Sequence, residues 1–184
     1  MWKIAGHTLG TPGMSVPAAM RLFKEAGLDG AEIIWQDGYD SGIPEDDGGV
    51  TRAAVDRARI ELDLPVIGLT PYMSGINSLD EAERLADLAR FQRCICDASF
   101  LGAKVVRVYA GAYTPDQIEM RPLMWDQLVL SLKALGPVAL DADVTLVVEN
   151  HFNTMTMSAA ESVKLTEAVD HPAVGILYDQ ANLT

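Results

Sequence analysis

With 184 residues, 49% of them hydrophobic and 22% charged, the chain is long enough and apolar enough for one domain around a substantial core. A formal net charge of −12 repels phosphate backbones and anionic bilayers, so nucleic acid and membrane surfaces are set aside as partners. No uninterrupted run of about eighteen apolar residues predicts a transmembrane helix, and Met1–Gly10 lacks the pattern of a secretory signal.

Trp2–His7 is a short apolar run that predicts a first strand. Ser15 is placed to cap a helix reaching about Ala26, with Ala18, Leu22 and Phe23 on its buried side and Gly27 ending it. Asp29–Trp35 predicts the second strand, Gln36–Gly49 a loop, Thr51–Asp63 a helix and Pro65–Thr70 the third strand. The acids between Asp37 and Asp47 are expected on a solvated face of that loop. Ser78-Leu-Asp-Glu81 has the form of a capping box and opens a helix to Leu101. Its apolar stripe collects Leu85, Leu88, Ala89, Ile95, Cys96 and Phe100.

Cys94 and Cys96 sit two apart on this helix, roughly 200° around its axis, so they neither chelate one ion nor close a relaxed disulfide. Two free thiols point to the cytoplasm. Lys104–Tyr109 predicts the fourth strand, Thr114–Gln117 a capped turn, and Leu123–Asp141 a helix broken near Gly136-Pro137. Val144–Asn153 opens as the fifth strand. Ser158–Glu161 is another capping box, for a helix to Val169, and Val174–Asp179 is the sixth strand. His171, before a proline, is expected in solvent.

Strands alternating with helices predict a parallel sheet covered by helices. The helix-to-strand connections are short and the strand-to-helix connections long, which assigns function to the C-terminal ends of the strands. An eightfold barrel and an open doubly wound sheet both suit this order. The Gly-x-Gly-x-x-Gly turn usual for the second is missing after the first strand.

Two of those strand ends carry acids. V-T-L-V-V runs into Glu149, Asn150 and His151, and V-G-I-L-Y runs into Asp179. Two carboxylates released at the same end of neighbouring buried strands repel unless a proton or a divalent cation lies between them. The cation is the reading taken here, with Mg²⁺ or Mn²⁺ first and Zn²⁺ or Co²⁺ as alternatives. A salt bridge from Glu149 to Arg107 and a helix-capping role for Asp179 are the structural alternatives.

His151 shares strand parity with Glu149, and His7 ends a strand at the same face; both are candidate substrate contacts. Glu32 and Arg107 are lone charges in apolar strands, which either pair with each other or leave Arg107 to bind a substrate oxygen. Trp35 and Tyr109, at strand ends, are placed to wall a pocket, and Asn182 completes the substrate-binding set. Phe152, Met155 and Met157 form an apolar loop suited to a pocket lid or a subunit contact.

Four segments then resemble the xylose isomerase-like barrel superfamily of sugar isomerases and epimerases. They are L-D-G-A-E-I at Leu28–Ile33, L-G-A-K-V-V-R-V at Leu101–Val108, V-T-L-V-V-E-N-H at Val144–His151 and Y-D-Q-A-N-L at Tyr178–Leu183. The resemblance implies a (β/α)8 TIM barrel, of which this chain holds the first six strands as one partial domain spanning residues 1–184. It also implies metal ligands Glu, Asp, His and Glu on the last four strands. The first two correspond to Glu149 and Asp179, and the other two have no counterpart here.

The implied activity is metal-dependent isomerisation or epimerisation of a small sugar-like polyhydroxy carbonyl compound through an enediolate, with Glu149 as ligand and base. A lyase of the inosose or dehydroshikimate dehydratase type is the enzymatic alternative. A non-catalytic partial barrel is the other. The DNA-repair endonucleases of the superfamily are disfavoured, because Asn182 stands where their Asp-x-x-His motif has histidine. A homo-oligomer, or a complementing chain that covers the open edges and completes the site, is expected, and the chain alone is expected to be inactive.

Overall fold

The computed structural model describes residues 2–182. Among the described residues seven strands form one sheet: β1 (Ala5–His7), β2 (Gly30–Trp35), β3 (Gly42–Ile43), β4 (Val66–Thr70), β5 (Val105–Tyr109), β6 (Thr145–Glu149) and β7 (Val174–Leu177). Among the described residues five α-helices alternate with them: α1 (Val16–Glu25), α2 (Val50–Glu61), α3 (Glu81–Leu101), α4 (Arg121–Asp141) and α5 (Ala159–Val169). Every strand pair is parallel, in the order β1-β2-β4-β5-β6-β7, with β3 attached to β2. Spatial order following chain order is the signature of a barrel wall, and among the described residues the wall is open between β7 and β1.

The strands alternate their faces with period two. Val106, Val108, Leu146 and Val148 point outward and are fully buried beneath the helices. Arg107 and Glu149, on the opposite parity, occupy the inner face with Glu32. One irregularity shapes that inner face. Ala31 pairs with Val66 but Glu32 pairs with Gly68, so Ile67 is an extra residue in β4. Gly68 thereby comes beside Glu32, where a Cβ would lie 2.7 Å from Val105 Cγ2 and 3.8 Å from Glu32 Oε1.

Several local expectations are revised. β1 starts at Ala5, not Trp2, because Trp2 and Ile4 find no layer to pack on and are 94% and 62% exposed. The loop after β2 contains β3, whose Ile43 enters the core. Its acids are not merely solvated. Asp47 accepts from the Gly49 and Thr51 amides and so caps α2, while Glu45 pairs with Arg90 and Arg93.

Asp80, not Ser78, caps α3, accepting from the Ala82 and Glu83 amides at 2.8 and 3.2 Å. α3 buries Phe91, Cys94, Ile95, Ala98 and Leu101, whereas Leu85, Cys96 and Phe100 are exposed. Two neighbouring apolar stripes both had helical spacing, and the sheet beneath selects one of them. α4 runs unbroken through Pro137. Gly136 admits the His171 ring, whose carbon and nitrogen atoms begin 2.7 Å from where a Cβ would stand, so His171 packs rather than lying free in solvent. By length and composition α4 also meets the requirements of a membrane span. Here its Met124, Leu128, Leu132, Leu135 and Ala139 are buried in the core between sheet and helices.

Candidate active site

Among the described residues, two clefts each have a volume of about 580 Å³. One lies outside the barrel wall between the Ile43–Gly49 segment and α3, and its Arg52 and Arg93 are already paired with Asp97 and Glu45. The other sits at the C-terminal ends of the strands and gathers His7, Glu32, Arg107, Glu149, His151, Asp179 and Asn182. The long strand-to-helix segments converge there, as a barrel requires.

Arg107 is the fixed centre of this second cleft. Its Nε donates to Glu149 Oε2, Nη2 forms an ion pair with the same oxygen, and Nη1 donates to the Pro71 carbonyl at 3.1 Å. The guanidinium lies 4.5 Å from the Tyr72 ring centroid and 5.4 Å from that of Tyr109. Only 7% of its side chain is exposed. Its partner is therefore Glu149 on the adjacent strand and not Glu32, because the β5–β6 register sets Tyr109 opposite Glu149 and leaves Arg107 one pleat below.

The bond to Arg107 engages one oxygen of Glu149. The other, Oε1, lies 3.4 Å from Nδ2 of Asn182, and the same amide donates to Asp179 Oδ2 at 2.8 Å. One amide group thus touches both carboxylates. Asp179 follows β7 at a position set by Asn150, whose Nδ2 donates to the Asp179 carbonyl at 2.6 Å and whose Oδ1 accepts from the Asp179 amide at 2.8 Å. Thr156 Oγ1 donates to the Glu149 carbonyl at 2.9 Å, so the turn after β6 is pinned as well.

His7 is held by both ring nitrogens. Nδ1 accepts from the Leu9 amide at 3.0 Å, which leaves the proton on Nε2 to be donated to Thr70 Oγ1 at 2.9 Å. That hydroxyl in turn donates to the Ile33 carbonyl at 3.3 Å. Burial, then the Arg107 charge, lowers the His7 pKa from its ordinary value. Glu32 moves the other way: burial and the Glu149 charge raise its pKa, against an opposing contribution from Arg107.

His151 lines the cleft, with Nδ1 2.8 Å from the Phe152 carbonyl and its ring 5.0 Å from that of Tyr109. Tyr109 flanks Arg107 and its hydroxyl donates to the Phe152 carbonyl at 3.3 Å. In the apolar loop Phe152 is 55% exposed while Met155 is fully buried. Two predicted pocket residues are not among those lining the cleft: Tyr109, which stays beside Arg107, and Trp35, which lies elsewhere. It is 1% exposed in the outer core, and its indole N–H donates to Asp97 on α3 at 2.8 Å. The reason is parity: Glu32 and Trp35 are three apart on one strand, so if one faces the cleft the other faces the helices.

The sequence did not point to Thr70 or Tyr72, and it set Asn150 at the strand end without a role. Thr70 and Tyr72 line the cleft, and Asn150 positions Asp179 from behind. Thr70 ends a predicted strand at the functional face, a signal that was available. Tyr72 lies beyond the strand in a segment with no periodicity to orient it. The last residue of the Tyr178–Leu183 motif lies outside the described residues.

A family described as xylose isomerase-like TIM barrel matches residues 20–184. No curated protein sequence matches the chain. Among solved structures, 3-keto-D-glucoside 4-epimerase from E. coli superposes with a TM-score of 0.79 at 21% identity, covering 98% of this chain and 70% of that one. D-allulose 3-epimerase from Methylomonas sp., in complex with D-allulose, gives 0.83 at 16% identity, covering 98% and 63%. A xylose isomerase-like TIM barrel protein from Mycobacterium smegmatis, in complex with magnesium, gives 0.75 at 21% identity, covering 99% and 66%. The chain thus spans between 63% and 70% of the length of these proteins. Parallel strands in chain order, an open wall and a match over most of its length lead to one conclusion: the chain belongs to the xylose isomerase-like TIM barrel family.

Proposed function

We propose that the cleft at the strand ends carries out metal-dependent isomerisation or epimerisation of a small, sugar-like polyhydroxy carbonyl compound. The observation that carries this reading is the Asn182 amide, which touches the Glu149 and Asp179 carboxylates together at the functional ends of adjacent strands. A positively polarised group between two acceptors occupies the kind of position a shared cation takes. The donor set is oxygen, which suits Mg²⁺ or Mn²⁺ before Zn²⁺ or Co²⁺. Among the described residues no group of three or more potential ligands surrounds one point, so Glu149 and Asp179 fit a cation as a partial ligand set.

Bound there, a divalent cation would polarise a substrate carbonyl and acidify the neighbouring C–H. The chain's own residues supply the rest. Arg107 holds Glu149 with one oxygen turned to the cleft, where it accepts the proton released from carbon, leaving an enediolate. His7 and His151 border the space a polyhydroxy chain would fill, and Tyr72 closes its side. The solved epimerases of the same fold support this class of chemistry, and the magnesium complex supports the choice of cation.

Turnover of free ketoses with Mg²⁺ or Mn²⁺ tests the reading, with the products identified by NMR. An isomer or epimer is expected, and loss of water to a dehydrated product would assign the lyase instead. Glu149→Gln is expected to abolish turnover and weaken Mn²⁺ binding while the fold persists. Full activity in that variant would remove Glu149 from the mechanism.

The proposal extends to assembly. β1 and β7 end the strand path, and Ile176 on β7 is 42% exposed. We assign their coverage, and the remaining metal ligands, to a second copy or another polypeptide segment. Sedimentation that shows a well-behaved monomer with a cooperative melt would overturn that part. A cytoplasmic location is proposed with it, on the two free cysteines.

A further inference from the structure

Among the described residues nothing covers the outer face of α4. A helix on the outside of a sheet is ordinarily apolar towards the core and charged towards water, and α3 follows that rule with seven charged residues among its 21. α4 has only four in the same length, Arg121, Asp126, Lys133 and Asp141. Its Met124, Leu128, Leu132, Leu135 and Ala139 are buried, yet Leu123, Leu130 and Leu140 on its outer side are 52%, 58% and 53% exposed. α4 joins β5 to β6, so this face belongs to the middle of the wall and not to the open edges at β1 and β7.

At about 100° per residue, the exposed positions of α4 are arranged symmetrically about Leu130. Leu123 and Pro137, both exposed, stand seven residues before and seven after it, within about 20° of it around the axis. Asp126, four before, and Lys133, three after, lie about 40° and about 60° to one side. Both are exposed, and among the described residues neither enters an ion pair. Further round on that side come Pro122, eight before Leu130, and Leu140, ten after. Pro122 lines a notch of about 340 Å³ with Ile118 and Trp125, closed on its α5 side by Lys164, whose Nζ lies 5.1 Å from the Trp125 ring centroid. A twofold axis at Leu130 lays a second α4 antiparallel on the first. Each residue then meets the one about equally far from Leu130 in the other direction, on the same side. Asp126 meets Lys133, Leu123 meets Pro137, and Leu140 meets the notch, each of them twice.

We propose that the outer face of α4 docks on the same face of a second copy of this chain, antiparallel, about a twofold axis at Leu130. The charges select a second copy as the occupant. Asp126 and Lys133 complement each other only when the helix direction is reversed, since in a parallel pair each meets its own kind. The hydrocarbon of a bilayer offers neither of them a partner. The leucines supply the attraction by leaving water, and the two charge pairs, at the rim, set direction and register. One helix pair with its two notches is at the small end of specific interfaces, so the association is reversible and depends on concentration. It needs no metal and no substrate, and it stands independently of the proposed catalytic activity.

The test is sedimentation equilibrium of the full-length protein in its native assembly over a dilution series. Leu130→Glu should halve the mass of the wild-type species at the same concentration, with the circular dichroism spectrum retained. Asp126→Lys should raise the dissociation constant about tenfold, because the change counts twice about the axis. The double variant Asp126→Lys/Lys133→Asp should return it to within a few-fold of wild type, a rescue that damage to the fold would not produce. In a Cys96→Ser background, Leu130→Cys should give a disulfide-linked dimer on mild oxidation. Ile60→Cys, equally exposed on α2, should not. A mass unchanged by Leu130→Glu, a double exchange that fails to restore association, or a Leu130→Cys that stays unlinked would each overturn the proposal. Flotation of the wild type with phosphatidylcholine vesicles, lost in Leu130→Glu at constant mass, would give the face to a membrane instead. A lower melting temperature at constant mass would give it to another segment of the same polypeptide.

Discussion

Asn150 bonds the backbone of Asp179 in both directions, its Nδ2 donating to the Asp179 carbonyl and its Oδ1 accepting from the Asp179 amide. The side chain thereby continues the β6–β7 ladder one rung past the point where the strands separate. It also fixes the carboxylate of Asp179 relative to that of Glu149, the residue before it. Asn150→Ala removes both bonds and leaves buried polar groups unmatched, at a cost of about 1–3 kcal/mol. A lower urea midpoint is expected, together with weaker Mn²⁺ binding by calorimetry. Unchanged Mn²⁺ affinity would show that Asp179 holds its place without the clamp.

The Arg107–Glu149 pair is buried on both sides, at 7% and 11% side-chain exposure. Removing one partner strands the other, so Arg107→Met should destabilise the fold by about 3–5 kcal/mol. The double variant Arg107→Met/Glu149→Gln no longer contains the stranded charge and should regain much of that loss. Denaturant unfolding of wild type, both single variants and the double variant forms the cycle. Additive single effects would mean the pair is not coupled.

Trp35 belongs to the structure and not to the site. Trp35→Phe keeps most of the buried volume and deletes the bond to Asp97, so a loss of about 1 kcal/mol is expected. Turnover and substrate affinity should stay at wild-type values. A raised KM with unchanged thermal stability would return Trp35 to the pocket.

The pH dependence of stability should report His7. Its pKa is lowered in the folded state, chiefly by burial, from the ordinary 6.5. Between the lowered value and 6.5 the unfolded chain binds a proton that the folded chain refuses, so stability rises with pH through that window. The contribution is complete above the unfolded value and is lost as pH falls through the folded one. Melting temperatures measured from about pH 8 down to about pH 5 should show a decline that is smaller in His7→Gln. An equal decline in both proteins would assign it to other groups.

How much of this was legible beforehand depends on the range of the interaction concerned. Alternating strand and helix signals, the strand ends at Glu149 and Asp179, and the capping boxes at Thr114 and Ser158 are local patterns, written in neighbouring residues and carried directly into the fold. Even the misplacement of Trp35 was within reach, since period-two alternation forbids it from sharing a face with Glu32. The partner of Arg107 was not. Glu32 and Glu149 both lie on the inner face, and only the register between β5 and β6 brings one of them to the guanidinium. The same holds for the buried stripe of α3, for the His171 ring against Gly136 and for the two-way bond of Asn150 to Asp179. A sequence determines which face of an element is apolar and where the element ends. The pairing of polar groups across elements is decided by packing, because strand register and helix rotation are set by the whole layer at once and by no segment alone.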